Sequence, residues 1–285
     1  MASFSCDGIL LVDNGSLQPA ATLSLRQRAQ ALGERLGQPV VPASILHSSR
    51  VPVEALGGQP AETLETALAR MIREGAERFV VLPYFFGRSR AVTHFVPMAV
   101  SVMQARCRGL DVRVTPPLVD LADSGDDRVA RVLADNVRAA AGADLERFAV
   151  VMVDHGTPVR EVNAVRQRVG RQLAGLLGDR CSWFSVASME RRDGPAYDFN
   201  EPLLERALRD PDLRSAHTDV IVSMLFLGPG RHAGPGGDIT EICATAEAEN
   251  PPLRTRVTEL AGSHPLMIDI LAERFAAAAD LAPLP

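Results

Sequence analysis

A pair of tandem doubly wound α/β units, each a parallel four-stranded sheet with flanking helices, is the fold class that three observations predict. Strand-length apolar runs alternate with helix-period stripes along the chain. The pattern then repeats: VDNGS at Val12–Ser16 returns as VDHGT at Val153–Thr157, an offset of 141 residues, and RVT at Arg113–Thr115 returns at Arg256–Thr258, an offset of 143. So steady an offset, close to half of 285 residues, marks a duplicated unit. The length also suffices for two cores at roughly 100–200 residues per domain. Two copies are too few for a solenoid, so a pseudo-twofold pair of lobes facing across a cleft is expected.

The first copy opens with Gly8–Val12, an apolar run short enough for a buried strand. A helix from about Ala20 to Leu36 follows, with Leu25, Leu32 and Leu36 on one side. Val40–Leu46, Phe79–Tyr84 and Val112–Thr115 supply three more strands, separated by helical segments around Ala61–Gly75 and Pro97–Ala105. Ser124 is the expected N-cap of a helix whose Val129, Val132, Leu133 and Val137 keep the i, i+3, i+4 spacing and which ends in the small-residue run Ala139–Ala143. That run is taken as the boundary, giving lobes 1–143 and 144–285. The second copy repeats the order: a strand at Phe148–Val153, a helix striped by Val162, Val165, Val169, Leu173 and Leu176, then strands at Trp183–Met189, Val220–Leu227 and Thr255–Leu260.

Net charge and pI narrow the function. A charge of −5 and a pI near 5.7 provide no bulk attraction for nucleic acid or an anionic membrane, so neither partner is expected. All 30 basic residues are arginine, so any cation that meets an anionic ligand must be one. The four cysteines lie far apart without a C-x-x-C pair, which argues against a local zinc or iron–sulfur motif and a disulfide framework. The N-terminus has no basic region before its short apolar run, and no window approaches the ~18 apolar residues of a membrane span. A cytoplasmic protein is expected.

In an open parallel sheet, ligands bind beyond the carboxyl ends of the strands. In the second copy these ends carry His155 in VDHGTP, Glu190 in SVASME, and Arg231, His232 and Asp238 in the loop FLGPGRHAGPGGD. Two imidazoles and a carboxylate on neighbouring strand ends suit a borderline divalent metal such as iron, cobalt or nickel. Each residue also has a plainer reading: His155 as a hydrogen-bonded turn residue, and Glu190 as a surface carboxylate paired with Arg191 or Arg192. For His232, the five glycines of its loop favour function over a passive connection. His47, His94, His217 and His264 lack such context and are expected to serve the surface or packing.

Taken together, VDHGTP, SME and FLGPGRHAGPGGDI resemble the class II tetrapyrrole chelatases of the sirohydrochlorin type, as does LAGSHP at Leu260–Pro265. The resemblance covers both halves. It implies a chelatase-like fold and insertion of a divalent cobalt, iron or nickel ion, as substrate, into sirohydrochlorin or a related tetrapyrrole without a nucleotide. It further implies His155, Glu190 and His232 as the catalytic and metal-binding set. Arg231, Gly230, Gly156, Arg160 and Arg90 are then expected to meet the carboxylates of the macrocycle, with Arg88 as a further candidate. The first copy departs from the pattern, with Asn14 and Arg90 at the histidine positions and Leu46 or His47 at the carboxylate position. Two-lobed relatives usually keep their working pair in the first lobe, so here the lobes are inverted. A monomer with an internal pseudo-dimer, or a homo-oligomer, is implied. Two other readings remain at this point: a non-catalytic tetrapyrrole or metal binder on the same fold, and a histidine phosphatase suggested faintly by Arg231-His232-Ala233-Gly234.

Overall fold

The computed structural model describes residues 5–234 and 236–285. Within them the eight strands form two all-parallel sheets. The first contains β1 (Gly8–Asp13), β2 (Val40–Ser44), β3 (Arg78–Pro83) and β4 (Asp111–Val114) in the order β2-β1-β3-β4. The second contains β5 (Phe148–Asp154), β6 (Cys181–Ser188), β7 (Asp219–Met224) and β8 (Arg254–Val257) in the order β6-β5-β7-β8. Order and register repeat together: Val12 faces Ala43 in one sheet as Val153 faces Ala187 in the other. The strands on either side of the first strand connect in opposite directions, so each sheet has a switch point between its two central strands.

Helices cover both faces of each sheet, which explains why β1 and β5 read as unbroken apolar runs: Leu10, Leu11, Val150 and Val151 are completely buried. The helices are α1 (Pro19–Leu36), α2 (Leu64–Arg73), α3 (Val96–Arg106), α4 (Arg128–Ala141), α5 (Arg160–Leu177), the short α6 (Leu204–Ala207) and α7 (Pro211–Ala216), α8 (Asp238–Glu249) and α9 (Leu266–Ala276). None is long and apolar enough to cross a membrane, among the described residues.

Two expectations need correction. Ser124 does not cap α4; Asp127 holds that position without a side-chain cap bond, and the Arg128 N–H donates to Asp126 Oδ1 at 3.2 Å. The strands expected to reach Leu46 and Leu227 leave their sheets at Ser44 and Met224. Their remaining apolar residues turn over the strand ends instead; the Ile45 and Leu46 N–H groups donate to the carbonyls of Asp13 and Asn14.

The expected boundary at 143/144 is also displaced. One compact unit comprises the chain up to Asp120 together with Pro265–Pro285, and the other is Leu121–His264. The reason is a reciprocal exchange of helices. α4 follows the first sheet in the chain but packs on α5 and β7, whereas α9 follows the second sheet and packs on α1 and β3. Within the run taken as the boundary, Ala141 is fully buried as the last residue of α4, Ala140 is half-buried, and Ala139 and Ala143 are exposed.

Candidate metal centre

The site is built on the switch point of the unit Leu121–His264. β5 delivers His155 immediately after Asp154, where the chain must turn sharply. Gly156 permits this with φ +90°, and its own position explains the glycine further, because a Cβ there would lie 1.9 Å from the Glu190 carbonyl oxygen. The Met189 N–H donates to the Asp154 carbonyl and the Glu190 N–H to the His155 carbonyl, at 2.8 and 3.1 Å. The β5 turn and the end of β6 are thereby zipped together, placing His155 beside Glu190.

The third member arrives on the loop after β7. His232 is buried and its Nδ1 lies 2.7 Å from Asp238 Oδ2 at the start of α8. With Nδ1–H donating to that carboxylate, Nε2 keeps its lone pair for a metal. Nε2 lies 3.7 Å from Glu190 Oε2, while His155 Nδ1 lies 3.5 Å from Glu190 Oε1. The two imidazole rings meet edge to face with centroids 4.9 Å apart. One donor atom from each of the three residues lies within 4.8 Å of the others, the single such cluster among the described residues. Two donors on one ion at ~2.1 Å each stand at most ~4.2 Å apart, so binding draws the set slightly inward. His155 and Glu190, with side chains more than half exposed, are free to make that movement.

A cavity of about 480 Å³ opens beside His232 and Glu190, with Glu205, Asp238 and Glu241 among its lining carboxylates and only Arg209 and Arg231 opposing them. Arg209 is already held bidentately by Glu249 at 2.8 Å. The balance favours a cation over a polycarboxylate inside this cavity.

The expected anion-binding residues fare differently. Arg231 is 78% exposed and only loosely tied to Asp238, at 3.4 Å, so it can reach a ligand. Arg160 stacks over Phe199, 4.7 Å from the ring centroid, and donates to the Ala196 carbonyl at 3.4 Å. The backbone N–H groups of Gly156 and Gly230 are both engaged, by Asp154 Oδ1 at 3.0 Å and the Ala233 carbonyl at 2.6 Å. Arg88 and Arg90 are exposed in the loop after β3 of the other unit. Of the remaining histidines, His217 contacts Ser182 Oγ through Nδ1 and His264 approaches Asp135, as expected of packing and surface roles.

The first unit preserves the frame of this site without its candidate ligands. Gly15 has φ +79° and would place a Cβ 1.8 Å from the Leu46 carbonyl oxygen, so Leu46, rather than His47, is the counterpart of Glu190. Ser44 Oγ donates to Asp13 Oδ1 at 2.6 Å as Ser188 Oγ donates to Asp154 Oδ1 at 2.7 Å. Burial pushes the Asp13 carboxyl up to about 6. Asp154 is raised by burial as well, against the pull of Arg166, Ser188 and the Gly156 N–H. Sequence reasoning named Asp238 without a role and missed Arg166 and Asn200, which lie beneath the site; an arginine inside the apolar stripe of α5, where the first copy has Leu25, was the available signal.

The CbiX family model matches the chain twice, over residues 8–140 and 149–278. A curated relative, the chloroplastic sirohydrochlorin ferrochelatase of Arabidopsis thaliana, is 26% identical over 131 residues, covering 45% of this chain and 53% of its own length. The chain thus spans about half the length of that relative. Among solved structures, SirB from Bacillus subtilis with Fe³⁺ has a TM-score of 0.72 at 15% identity, covering 95% of each chain. SirB from Bacillus subtilis subspecies spizizenii in complex with cobalt has a TM-score of 0.67 at 16% identity, covering 96% of this chain and 95% of its own. CbiX, the terminal enzyme for biosynthesis of siroheme in denitrifying bacteria, has a TM-score of 0.60 at 15% identity, covering 95% of this chain and 99% of its own.

Proposed function

The chain belongs to the CbiX family, and from that premise we propose that it is a sirohydrochlorin-type chelatase that inserts a divalent cobalt, iron or nickel ion into sirohydrochlorin or a close relative. The observation that carries this reading is the convergence of His155, Glu190 and His232, from three separate strand ends, within reach of one ion. The Arabidopsis relative is a sirohydrochlorin ferrochelatase, and the SirB structures hold Fe³⁺ and cobalt. In this reading the metal is substrate and no nucleotide takes part. Four free cysteines fit a reducing compartment such as the cytoplasm.

Metal insertion exchanges two pyrrole N–H protons for one divalent ion, so charge balances without a further reactant. His232, its Nδ1 held by Asp238, presents Nε2 to the ion, and His155 supplies the second imidazole. Three protein ligands leave coordination positions open for pyrrole nitrogens, whereas a closed four-ligand site would retain the ion. Glu190 lies within 4 Å of both histidines, placed either to complete the metal set or to take a pyrrole proton. Arg231 is the best-exposed cation beside the site for a ring carboxylate. The acidic surroundings of His232, with Glu190 at 3.7 Å and Asp238 at 2.7 Å, oppose its use as a phosphate-accepting nucleophile.

Anaerobic incubation with sirohydrochlorin and Co²⁺, Fe²⁺ or Ni²⁺, followed by visible absorption, tests the proposal. The wild type should exceed the spontaneous rate, His155→Ala and His232→Ala should each lose roughly 100-fold or more of that acceleration, and Asn14→Ala should keep it. Metal binding without turnover of the free macrocycle would identify a carrier instead. Full activity in both histidine variants would remove the site.

A further inference from the structure

His155 and Glu190 are more than half exposed, so packing around their side chains does not set their positions; the backbone beneath them must. That backbone is organised around a buried cation. Arg166 on α5 is 1% exposed and is the largest fully buried side chain. Burying a guanidinium is costly unless its donors are satisfied; here Nε has no partner, and the two terminal nitrogens are used to join the segments that carry the site. Nη1 donates to the Asn200 carbonyl at 3.2 Å, to Asp154 Oδ1 at 3.5 Å, and to the Ser188 hydroxyl. Nη2 donates to the Phe199 carbonyl at 2.8 Å. Asp154 immediately precedes His155, and Ser188 lies two residues before Glu190.

Asn200 carries the connection back to the histidine turn. It is fully buried, its Oδ1 accepts the Thr157 N–H at 3.0 Å, and its Nδ2 donates to the Thr157 carbonyl at 2.9 Å. Both backbone polar groups of the residue two beyond His155 are thus held by one side chain. The duplicated unit provides an internal control. α1 and α5 correspond end to end at the 141-residue offset that relates VDNGS to VDHGT, which puts Leu25 where α5 has Arg166. At the counterpart of Thr157, Ser16 Oγ accepts the N–H of Gln18 just as Thr157 Oγ1 accepts that of Val159, so this local turn bond is common to both copies. The unit with Asn14 and Leu46 at the ligand positions therefore keeps the aspartate, the serine and the glycine turn but lacks the buried cation.

We propose that Arg166, acting with Asn200, is a positioning residue for the metal centre: it holds the His155 turn against the end of β6 so that His155 and Glu190 can reach the same ion. The inference rests on His155, Glu190 and His232 being metal ligands. Its test is a Co²⁺ titration of the full chain, read by ligand-field absorption and by affinity, with thermal unfolding as a folding control.

Arg166→Leu reproduces the arrangement that α1 already tolerates above Asp13, so it should fold. Co²⁺ affinity should fall by roughly 10–100-fold. The distinguishing readout is coupling: His155→Ala/Arg166→Leu should bind no more weakly than His155→Ala alone, because the arginine acts through the histidine. Asn200→Ala, which leaves Arg166 and Asp154 in place and releases the Thr157 clamp together with one bond to the Tyr197 carbonyl, should show the same coupling and keeps the test decisive if the leucine variant does not fold. Wild-type affinity in folded Arg166→Leu, or losses that simply add to those of His155→Ala, would overturn the proposal. Wild-type affinity in His155→Ala would instead overturn the metal-site reading beneath it.

Discussion

Asp13 and Asp154 show how one retained residue can change its physical meaning. Both close the first strand of their unit, both accept the N–H of a positive-φ glycine, and both accept a serine hydroxyl. Asp154 also has Arg166 as a partner, whereas at Asp13 the equivalent helix position is Leu25. Burial pushes the Asp13 carboxyl up to about 6, from an ordinary value of 3.8, and raises Asp154 as well despite its arginine. Because the folded state holds this proton more tightly than the unfolded state does, the stability contribution is present below pH ~4 and is lost as pH rises through about 6. Asp13→Asn keeps the acceptor for Gly15 and Ser44 and removes the titration. The difference in unfolding free energy between variant and wild type should therefore grow between pH 4 and 6 and level off above it. A gain on the order of 2 kcal/mol is expected at pH 7, discounted for partial solvent access. Denaturant melts across that range check it, and a pH-independent difference would contradict the assignment.

At the scale of the element, the decisive piece is the turn that follows the first strand of each sheet. Gly156 and Gly15 both take positive φ, and in both a Cβ would overlap a carbonyl oxygen by more than any side chain could relieve. Gly156→Ala and Gly15→Ala should each destabilise by roughly 3 kcal/mol or more, but only Gly156→Ala should weaken Co²⁺ binding. Paired melts and titrations separate the two effects; equal loss of binding in both would mean that the turn after β5 has no special link to the site. Such turns were readable because glycine follows the same aspartate in both copies. The strand ends were less so, since Leu225 and Phe226 remain buried after leaving the sheet, and an apolar run records burial rather than hydrogen bonding. The three candidate ligands were legible one by one from their strand ends. Their support was not: Arg166 bonds to residues 12 to 34 positions away, a relation that periodicity does not encode.

For the whole molecule, the repeat predicted two units but misassigned their composition. An amphipathic helix announces that one face is buried, not which sheet buries it, so α4 closes the first copy of the repeat yet packs in the compact unit Leu121–His264. The exchange has an energetic consequence for any attempt to divide the chain. A fragment beginning at residue 144 lacks α4, whose Val129, Val132, Leu133 and Val137 are all within 3% of complete burial. At roughly 1.5–2 kcal/mol for each buried valine or leucine, that omission forfeits about 6–8 kcal/mol of burial, comparable to the total stability of a domain. It would also retain α9, whose Met267, Ile270 and Leu271 are buried in the other unit. A fragment 144–285 should therefore fail to unfold cooperatively, whereas Leu121–His264, which contains α4, Arg166 and all three proposed ligands, should melt in one transition and bind Co²⁺. Calorimetry and metal titration of the two fragments decide the matter. A cooperative, metal-binding 144–285 beside an unfolded 121–264 would return the boundary to the midpoint that the sequence repeat suggests.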